Sequence, residues 1–339
     1  MADIYTVCTQ CLTYNQASYI LDTLNGFVAQ QTNFPVVYAI IDDASTDDEP
    51  QILQDYLSDY FNVDDSAVAF QEVAEYGTVL FAQHKVNANC FFAIVLLKEN
   101  HYSRKKSKYP YISRWRDNAK YIALCEGDDY WTDPSKLQTQ VDFLDEHKDY
   151  SLCCHRYRIY NQECDSWEDD YVHALFERHP NGFAFSRSDN LKTWITKTVT
   201  LVYRAEWDVM GELQRYKYGC DEHLNYLLLS HGPGYCFSFI GAVYRRTDSG
   251  VFAPLPAKTK RLRGVLIRSE LLAYNLEDND LKEDVYFRIK NCLNADHSLS
   301  GLIRPISICL KSYYLTEGLM SSLRIAKRIF GSFIKGLVR

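Results

Sequence analysis

The chain has 339 residues, of which 47% are hydrophobic, and its formal net charge is −7 at pH 7. This length and apolar content fit one large α/β domain with an appendage and exclude gross disorder. The acidic balance argues against a nucleic-acid binder, because that class of protein is usually basic.

The first sixty residues alternate between strand and helix patterns. Residues 5–12 are rich in β-favouring side chains, residues 18–30 place apolar side chains on one helical face, residues 34–41 are almost continuously apolar, and residues 50–61 again predict a helix. A continuous apolar run is typical of a strand buried on both faces of a parallel sheet. This order predicts a doubly wound α/β sheet that binds ligands beyond the carboxyl ends of its strands.

Later segments give weaker patterns. Residues 90–97 are apolar and predict a buried strand or helix, whereas residues 101–116 are basic and aromatic and fit either a solvated loop or a contact to diphosphate or acceptor. Residues 150–190 lack a clear period and are predicted to be irregular. The remaining predicted elements are strands at residues 120–125, 199–203 and 235–244 and helices at residues 134–144, 221–230 and 260–317.

Three carboxylates follow the predicted strand 120–125, in the segment Glu-Gly-Asp-Asp-Tyr-Trp at residues 126–131. Carboxylates this close repel one another and hold their positions when a cation neutralises them. Oxygen ligands at a strand end suit Mg²⁺ or Mn²⁺ with a bound diphosphate. The alternative is an acidic turn that precedes the helix beginning at Pro134.

Two further polar segments follow predicted strands. Residues 41–47 (Ile-Asp-Asp-Ala-Ser-Thr-Asp) offer carboxylates to a nucleobase or ribose, or else cap the next helix. Residues 13–16 (Thr-Tyr-Asn-Gln) include a tyrosine that can stack on a nucleobase, or else form an ordinary loop. Because the carboxyl ends of parallel strands meet at one edge of a sheet, we expect all three segments to converge on one crevice.

As an ordered set, these three segments resemble the bacterial family 2 glycosyltransferases. The resemblance covers roughly residues 4–255 and implies an α/β fold of the GT-A type, with a mostly parallel sheet flanked by helices. On this basis residues 1–255 are the predicted glycosyltransferase domain, and residues 256–339 are a helical C-terminal extension. The implied reaction moves a sugar from a nucleoside-diphosphate donor to an acceptor hydroxyl with inversion.

The resemblance also implies roles in donor binding. Asp43 would contact the nucleobase with Tyr14 beside it, Asp129 would hold the metal, and Asp128 would lie near the ribose and the metal. The ion, Mn²⁺ or Mg²⁺, would bridge the two phosphates and stabilise the leaving nucleoside diphosphate. The predicted donor-binding residues are Thr13, Tyr14, Asn15, Asp43, Asp128, Arg245 and Arg246.

An inverting transfer needs a general base that takes the proton of the acceptor hydroxyl. Residues 221–224 (Asp-Glu-His-Leu), followed by His-Gly at residues 231–232, resemble the family segment that carries this acid ahead of a helix. The resemblance implies Asp221 as the base and Glu222 as the reserve. The alternative is that Asp221 only caps the helix.

Residues 242–251 resemble the closing stretch of the family. Arg245 and Arg246 are its candidates for phosphate contacts. Many relatives carry a histidine where this chain has Thr247, which puts a third protein ligand to the metal in question, with Asp248 as a substitute. Elsewhere, Trp131 and Trp207 either line the acceptor site or belong to the core.

The C-terminal residues 321–339 combine five basic side chains with interleaved apolar residues and no acid, which predicts a basic amphipathic helix. Such a helix lies on an anionic membrane surface or packs on its own domain. Eleven cysteines without a Cys-x-x-Cys pair, and no signal peptide or run of 18 apolar residues, indicate a cytoplasmic protein, peripheral at the inner membrane face under the first alternative. The family analogy suggests surface-polysaccharide synthesis on a saccharide or lipid-linked saccharide acceptor.

Two other functions stay open. A nucleotidyltransferase also uses an aspartate pair and a metal, but it carries a Gly-rich, basic loop after the first strand, where this chain has Thr-Tyr-Asn-Gln. A non-catalytic sugar-nucleotide binder or scaffold is the other alternative, and Thr247 in place of histidine is its main support.

Overall fold

The computed structural model describes residues 5–207, 209–247, 255–295 and 304–311. Short 3-10 helices occupy Tyr109–Tyr111, His173–Glu177 and Thr198–Thr200. The strands are β1 (Val7–Thr13), β2 (Val36–Asp42), β3 (Ala69–Val73), β4 (Gly77–Gln83), β5 (Cys90–Leu97), β6 (Tyr121–Leu124), β7 (Tyr130–Trp131), β8 (Leu152–Asn161), β9 (Ser166–Asp169), β10 (Phe183–Phe185), β11 (Val202–Arg204) and β12 (Gly234–Arg246). The α-helices are α1 (Ile20–Val28), α2 (Glu49–Tyr60), α3 (Ser113–Arg116), α4 (Lys136–Glu146), α5 (Arg187–Lys192), α6 (Val209–Leu213), α7 (Asp221–Leu228), α8 (Ala257–Tyr274) and α9 (Asn279–Ala295).

The described strands form one mixed sheet in the order β10-β12-β8-β11-β6-β1-β2-β5-β4-β3, with β7 paired to β12 and β9 paired to β8. Strands β6, β1, β2 and β5 are parallel. Because β11 is antiparallel to both β6 and β8, the parallel pair β8 and β12 runs in the same direction as the central strands. The carboxyl ends of these six strands therefore lie at one edge of the sheet, where α/β folds bind ligands.

Apolar patterning accounts for the centre of the sheet. All seven residues of β2 are buried, as the continuous apolar run predicted. Helix α1 buries Phe27 against the sheet, and this ring lies 4.7 Å from Tyr38 and 5.0 Å from Trp131. Burying a side chain of this size contributes roughly 1.5–3 kcal/mol. Trp131 is therefore a core residue, which was one of its two predicted alternatives.

The prediction that residues 150–190 are irregular is wrong, because this segment contains β8, β9 and β10. In the second half of β8, buried Tyr157 and Ile159 alternate with half-buried Arg156 and Arg158. Arginine stems cover apolar surface while their charged ends reach solvent, so charged residues obscured a strand pattern. At residues 199–203, a 3-10 turn at Thr198–Thr200 precedes the strand β11.

The chain divides into two compact units. The first comprises Met1–Ser186, Trp194–Asp208 and Leu228–Arg246 and contains the whole sheet. The second comprises Arg187–Thr193, Val209–Leu227 and Thr247–Arg339. These units differ from the predicted division at residue 255, which stays a prediction.

The helical prediction for residues 260–317 holds over the described part of that range, in α8, α9 and residues 304–311. Within the second unit, buried Arg268 lies 3.0 Å from a carboxylate oxygen of Glu222 and 3.1 Å from one of Asp284. No helix within the described ranges is long and apolar enough to span a membrane. The predicted basic helix at residues 321–339 and Asp248 lie outside the described residues.

Candidate active site at the carboxyl edge of the sheet

The structure brings the three polar segments of the sequence analysis together at the end of β1. The backbone N–H of Asp43 donates to the carbonyl of Thr13 across 3.0 Å. On the other side, the backbone N–H of Gly127 donates to the carbonyl of Leu12 across 3.1 Å. The loops after β1, β2 and β6 therefore form one continuous surface at the carboxyl edge.

Gly127 allows the carboxylate turn to approach the loop after β1. A Cβ atom at this position would lie 2.5 Å from the side-chain oxygen of Gln16 and closer still to the Thr13 hydroxyl. Contacts this short do not occur, so a larger residue would push the two loops apart. This lack of space explains why a glycine stands between the acidic residues of the predicted metal motif.

Buried Glu49, at the start of α2, holds the loops after β1 and β2 together. Its carboxylate accepts hydrogen bonds from the hydroxyl of Thr13, from the backbone N–H of Gln16 at 2.9 Å and from the hydroxyl of Ser45 at 2.9 Å. Burial raises the pKa of this carboxyl group. The sequence analysis missed Glu49 because an acid in the first turn of a helix is a common end-stabilising residue. Thr13, predicted to bind donor, is buried and supports the loop.

Asn15 and Tyr14 have different positions in the same loop. Asn15 adopts a left-handed backbone with φ of 53°, which asparagine tolerates better than most residues. Its side-chain oxygen accepts the backbone N–H of Thr46 at 2.7 Å, so Asn15 joins the two loops. The ring of Tyr14 is 44% exposed, which leaves it accessible to a stacking partner.

Asp43 is buried beneath the loop that follows β5. Its carboxylate accepts the backbone N–H groups of His101 at 2.7 Å and Tyr102 at 3.0 Å, and it lies 2.9 Å from the ammonium of Lys108. A carboxylate offers about four acceptor sites, so three protein donors leave one for a ligand. Asp43 therefore anchors part of the basic segment 101–116 at the carboxyl edge.

The pair Asp128 and Asp129 lies in the turn between β6 and β7. Asp129 is 2% exposed, and its Oδ1 accepts the backbone N–H of Arg245 at 2.8 Å. Burial, followed by the negative charges of Asp128 and Glu126, raises the pKa of Asp129 well above its usual value. Burial likewise raises the pKa of Asp128. The turn concentrates negative charge in a place with little water.

Lys197 supplies positive charge to this acidic turn and was missed by the sequence analysis. Its charge opposes the upward pKa shifts of both Asp128 and Asp129. Its ammonium lies 3.4 Å from the centre of the Tyr244 ring, on β12. A single lysine before a short strand has no motif, so only the fold reveals this proximity.

The two predicted phosphate-binding arginines differ in their surroundings. The Arg245 side chain is buried and donates to the carbonyl of Asp128 at 3.0 Å, to Gln162 at 3.0 Å and to Asp22 at 2.6 Å. A phosphate contact by Arg245 would compete with these bonds. Arg246 donates to Glu168 at 2.9 Å and to the hydroxyl of Tyr171 at 2.7 Å, with part of its guanidinium exposed.

The residues at the acidic turn fit a divalent cation. Among the described residues, no group of three His, Cys, Asp or Glu side chains is arranged to hold a metal ion. Mg²⁺ and similar ions, however, are commonly held by one or two carboxylates together with substrate phosphates and water. Asp128 and Asp129 provide two such carboxylates. Burial raises the pKa of both by disfavouring their charged forms, and a bound cation would stabilise those charged forms.

The candidate bases lie at the start of α7, in the second unit. Asp221 is exposed, and its Oδ1 accepts the backbone N–H of Glu222 at 3.0 Å. Glu222 is already paired with buried Arg268 at 3.0 Å. Thr247 is buried. In the first unit, Trp207 stacks on His231 with a ring separation of 4.6 Å.

Comparison with known proteins adds a match in sequence. A model of the family described as Glycosyl transferase family 2 matches residues 12–66, which include the loops after β1 and β2. An uncharacterized protein of Mycobacterium bovis is 36% identical over 148 residues, covering 44% of this chain and 34% of that protein. The match thus spans about a third of the length of this relative.

Two solved structures share the fold. TarS residues 1–349 of S. aureus, in complex with UDP-GlcNAc, aligns with a TM-score of 0.55 and 14% identity over 91% of this chain and 81% of that chain. The mannosyltransferase PcManGT of Pyrobaculum calidifontis, in complex with GDP-Man and Mn²⁺, aligns with a TM-score of 0.51 and 13% identity over 97% and 81%. At such identities the likeness establishes a common fold alone.

Proposed function

We propose that this chain, which shares the fold of TarS and PcManGT and matches the family 2 model over residues 12–66, is a glycosyltransferase that transfers a sugar from a nucleoside-diphosphate donor to an acceptor hydroxyl with inversion. The observation that carries this proposal is that three polar loops meet at the end of β1, and that one of them contains the Asp128–Asp129 pair. Bound nucleotide sugars in TarS and PcManGT support a donor of the same class.

The donor lies along the carboxyl edge in this proposal. Exposed Tyr14 stacks on the nucleobase, while the remaining acceptor capacity of Asp43 receives a base N–H. Asp128 and Asp129 would hold Mn²⁺ or Mg²⁺, which supplies positive charge to the leaving diphosphate when bound. Lys197 adds a second positive charge beside the same turn.

The chemical step is a displacement at the anomeric carbon. The acceptor oxygen forms a bond to that carbon, the bond from the carbon to the diphosphate oxygen breaks, and the electron pair leaves with the diphosphate. Asp221 takes the hydroxyl proton. We favour Asp221 over Glu222 because the negative charge of Glu222 is already paired with buried Arg268. A lipid-linked acceptor in surface-polysaccharide synthesis at the inner membrane face is the setting we propose.

Donor binding is tested first, by thermal-shift measurements against nucleoside diphosphates and nucleotide sugars with and without Mn²⁺. A ligand at a hundredfold excess over its dissociation constant stabilises a protein by about 2.7 kcal/mol. We expect a Mn²⁺-dependent shift with one nucleoside diphosphate and its loss in Asp129→Ala. Asp64→Asn, in an exposed loop after α2, is the matched control and should keep the shift. Absence of any nucleotide shift in the wild type would sink the proposal.

Catalysis is tested separately from binding. Asp221→Asn should keep the nucleotide-dependent shift and lose sugar transfer, measured as release of nucleoside diphosphate in the presence of acceptor. Glu222→Gln should retain more transfer than Asp221→Asn. Equal turnover by Asp221→Asn and the wild type would reject the assignment of the base. A wild-type protein that binds nucleotide sugar but never transfers it would instead be a non-catalytic binder, the function that Thr247 favours.

A further inference from the structure

A pair of aromatic side chains at the carboxyl edge is not used by the donor site. We propose that Trp167 and Tyr160 form a binding platform for the saccharide acceptor. This inference rests on the proposed function, because it assigns the second substrate of the same site. It concerns the first unit alone, in which both residues lie.

The two rings are fixed by strand pairing. Trp167 on β9 lies directly opposite Tyr160 on β8, so both side chains project from the same face of the sheet. Their ring centres are 4.7 Å apart with an interplanar angle of 35°. The Tyr160 hydroxyl donates to Asp165 at 2.8 Å, which holds this ring in place. A paired, supported ring loses little conformational freedom when a ligand binds.

Trp167 remains 48% exposed despite its size. The large side chains of the core are buried against neighbours, whereas this indole presents much of its surface to solvent. A pyranose ring has one face of C–H groups, and stacking this face on an indole removes apolar area of both partners from water. The exposed indole therefore matches the apolar face of a sugar.

Charged groups flank the same surface. The guanidinium of Arg158, two residues before Tyr160 on β8, lies 5.6 Å from the Trp167 ring centre. Asp169, two residues after Trp167 on β9, lies 4.0 Å from Arg158, and both side chains are about half exposed. Sugar hydroxyls need donors and acceptors around an apolar contact, and ligand sites commonly combine the two. This composition fits a neutral saccharide.

The platform is continuous with the acidic turn. The Tyr160 ring centre lies 5.9 Å from the Arg245 guanidinium, which donates to the carbonyl of Asp128 at 3.0 Å. The same guanidinium lies 5.3 Å from the ring of Tyr130. A chain of contacts through Tyr160 and Arg245 thus joins Trp167 to the turn that would hold the leaving diphosphate.

Trp167 also fits this role better than the tryptophans singled out in the sequence. Trp131 is 3% exposed, and its indole N–H donates to the carbonyl of Val199 at 2.8 Å, inside the core. One face of Trp207 is covered by His231. Both tryptophans are less exposed than Trp167, which is 48% exposed.

The test measures binding of short neutral oligosaccharides to the full chain by saturation-transfer NMR, with diamagnetic Mg²⁺ and the nucleoside diphosphate that gave the largest thermal shift. The probes are cellotriose, maltotriose, mannotriose and chitotriose. We expect at least one to bind the wild type, Trp167→Ala to weaken its binding by about tenfold or more, and Trp167→Phe to recover most of it, because a smaller ring keeps part of the stacking surface.

Tyr60→Ala is the matched control. Tyr60 is 50% exposed and packs on Tyr56 with a ring separation of 4.7 Å, which resembles the environment of Trp167. It ends α2, about 16 Å along the helix from Glu49. Saccharide binding by Tyr60→Ala should equal that of the wild type.

The thermal shift with nucleoside diphosphate separates this inference from the proposed function. Trp167→Ala should keep that shift while losing the saccharide, because only the acceptor surface changes. Equal saccharide binding by Trp167→Ala and the wild type, or no binding of any probe to the wild type, overturns the platform. Loss of the nucleotide shift in Trp167→Ala also overturns it, since the residue would then support the donor site. A wild type without any nucleotide shift rejects the proposed function itself.

Discussion

The backbone N–H of Arg245 donates to the carboxylate of Asp129 across 2.8 Å and thereby joins two residues that are 116 positions apart in the chain. The side chain of the same arginine donates to the carbonyl of Asp128. Strand β12 therefore orients the acidic turn from both its backbone and a side chain. The position of the carboxylates depends on a late strand as much as on their own motif.

Replacement of Arg245 by lysine should weaken both the fold and the donor site. Lysine keeps the charge, but its three N–H groups sit on one nitrogen, so it cannot span Asp128, Gln162 and Asp22, which three different guanidinium nitrogens of Arg245 contact. We expect a loss of about 1–3 kcal/mol in the free energy of unfolding, measured by urea denaturation. Arg246→Lys is the control, and loss of the geometry of its partly exposed ion pair with Glu168 should cost less than about 1 kcal/mol. A larger loss of nucleotide affinity in Arg246→Lys than in Arg245→Lys would point to Arg246 as the phosphate contact.

Gly127→Ala should separate the acidic turn from the loop after β1. Its Cβ atom would overlap the Thr13 hydroxyl and lie 2.5 Å from Gln16. Overpacking of this kind costs typically about 1–3 kcal/mol, and the nucleotide-dependent thermal shift should fall with it. Gly264→Ala is the comparison, because there the added carbon meets only the mobile end of Arg288 inside a helix. Equal stability of the two variants would contradict the steric role of Gly127.

Asp129→Asn should lose Mn²⁺-dependent nucleotide binding without losing thermal stability. The amide oxygen can still accept the N–H of Arg245, while the buried negative charge is removed. We expect the metal-free variant to be at least as stable as the wild type in thermal unfolding, because an unneutralised buried charge is unfavourable. The Mn²⁺-dependent part of nucleotide binding should disappear. If the variant keeps that part, the ion is held elsewhere.

Lys136 should give the unfolding free energy a distinct pH dependence. The side chain is fully buried, donates to Gln140 at 2.7 Å and lies 4.1 Å from the Trp131 ring centre. Burial lowers its pKa from 10.5 to about 7. Between these values the unfolded chain binds a proton that the folded chain lacks, so this residue makes stability rise with pH across that window.

The variant Lys136→Met isolates this contribution. In urea denaturation from pH 7 to pH 10, the difference in unfolding free energy between wild type and variant should change by up to about 1.4 kcal/mol per pH unit in favour of the wild type. Lys85→Met, whose ammonium contacts carbonyl groups at the surface, is the control and should show no such slope. A constant difference between wild type and Lys136→Met would mean that the lysine stays charged in the fold.

Several elements of the central sheet and its helices could be predicted, because their patterns of apolar residues are strong. The apolar run of β2 and the one-sided apolar pattern of α1 each identified their element to within a few residues. Strand β8 was not predicted, because Arg156 and Arg158 alternate with its buried residues and obscure the apolar pattern. The hairpin of β3 and β4 was also missed, since β3 is mostly exposed and lacks an apolar face.

The sequence by itself determined which loops carry the polar chemistry and that each follows a strand, because the hydrophobic period is a local property of the chain. The alternation of strands and helices predicted that these strands are parallel. Only the tertiary structure decided how the individual side chains are used. In the fold, Thr13 donates to Glu49, the loop after β5 covers Asp43, and buried Arg245 donates to the carbonyl of Asp128. These contacts join residues far apart in sequence, so the sequence alone could not predict them. The tertiary structure also left Trp167 exposed, because burial of a side chain depends on which distant strands pack around it.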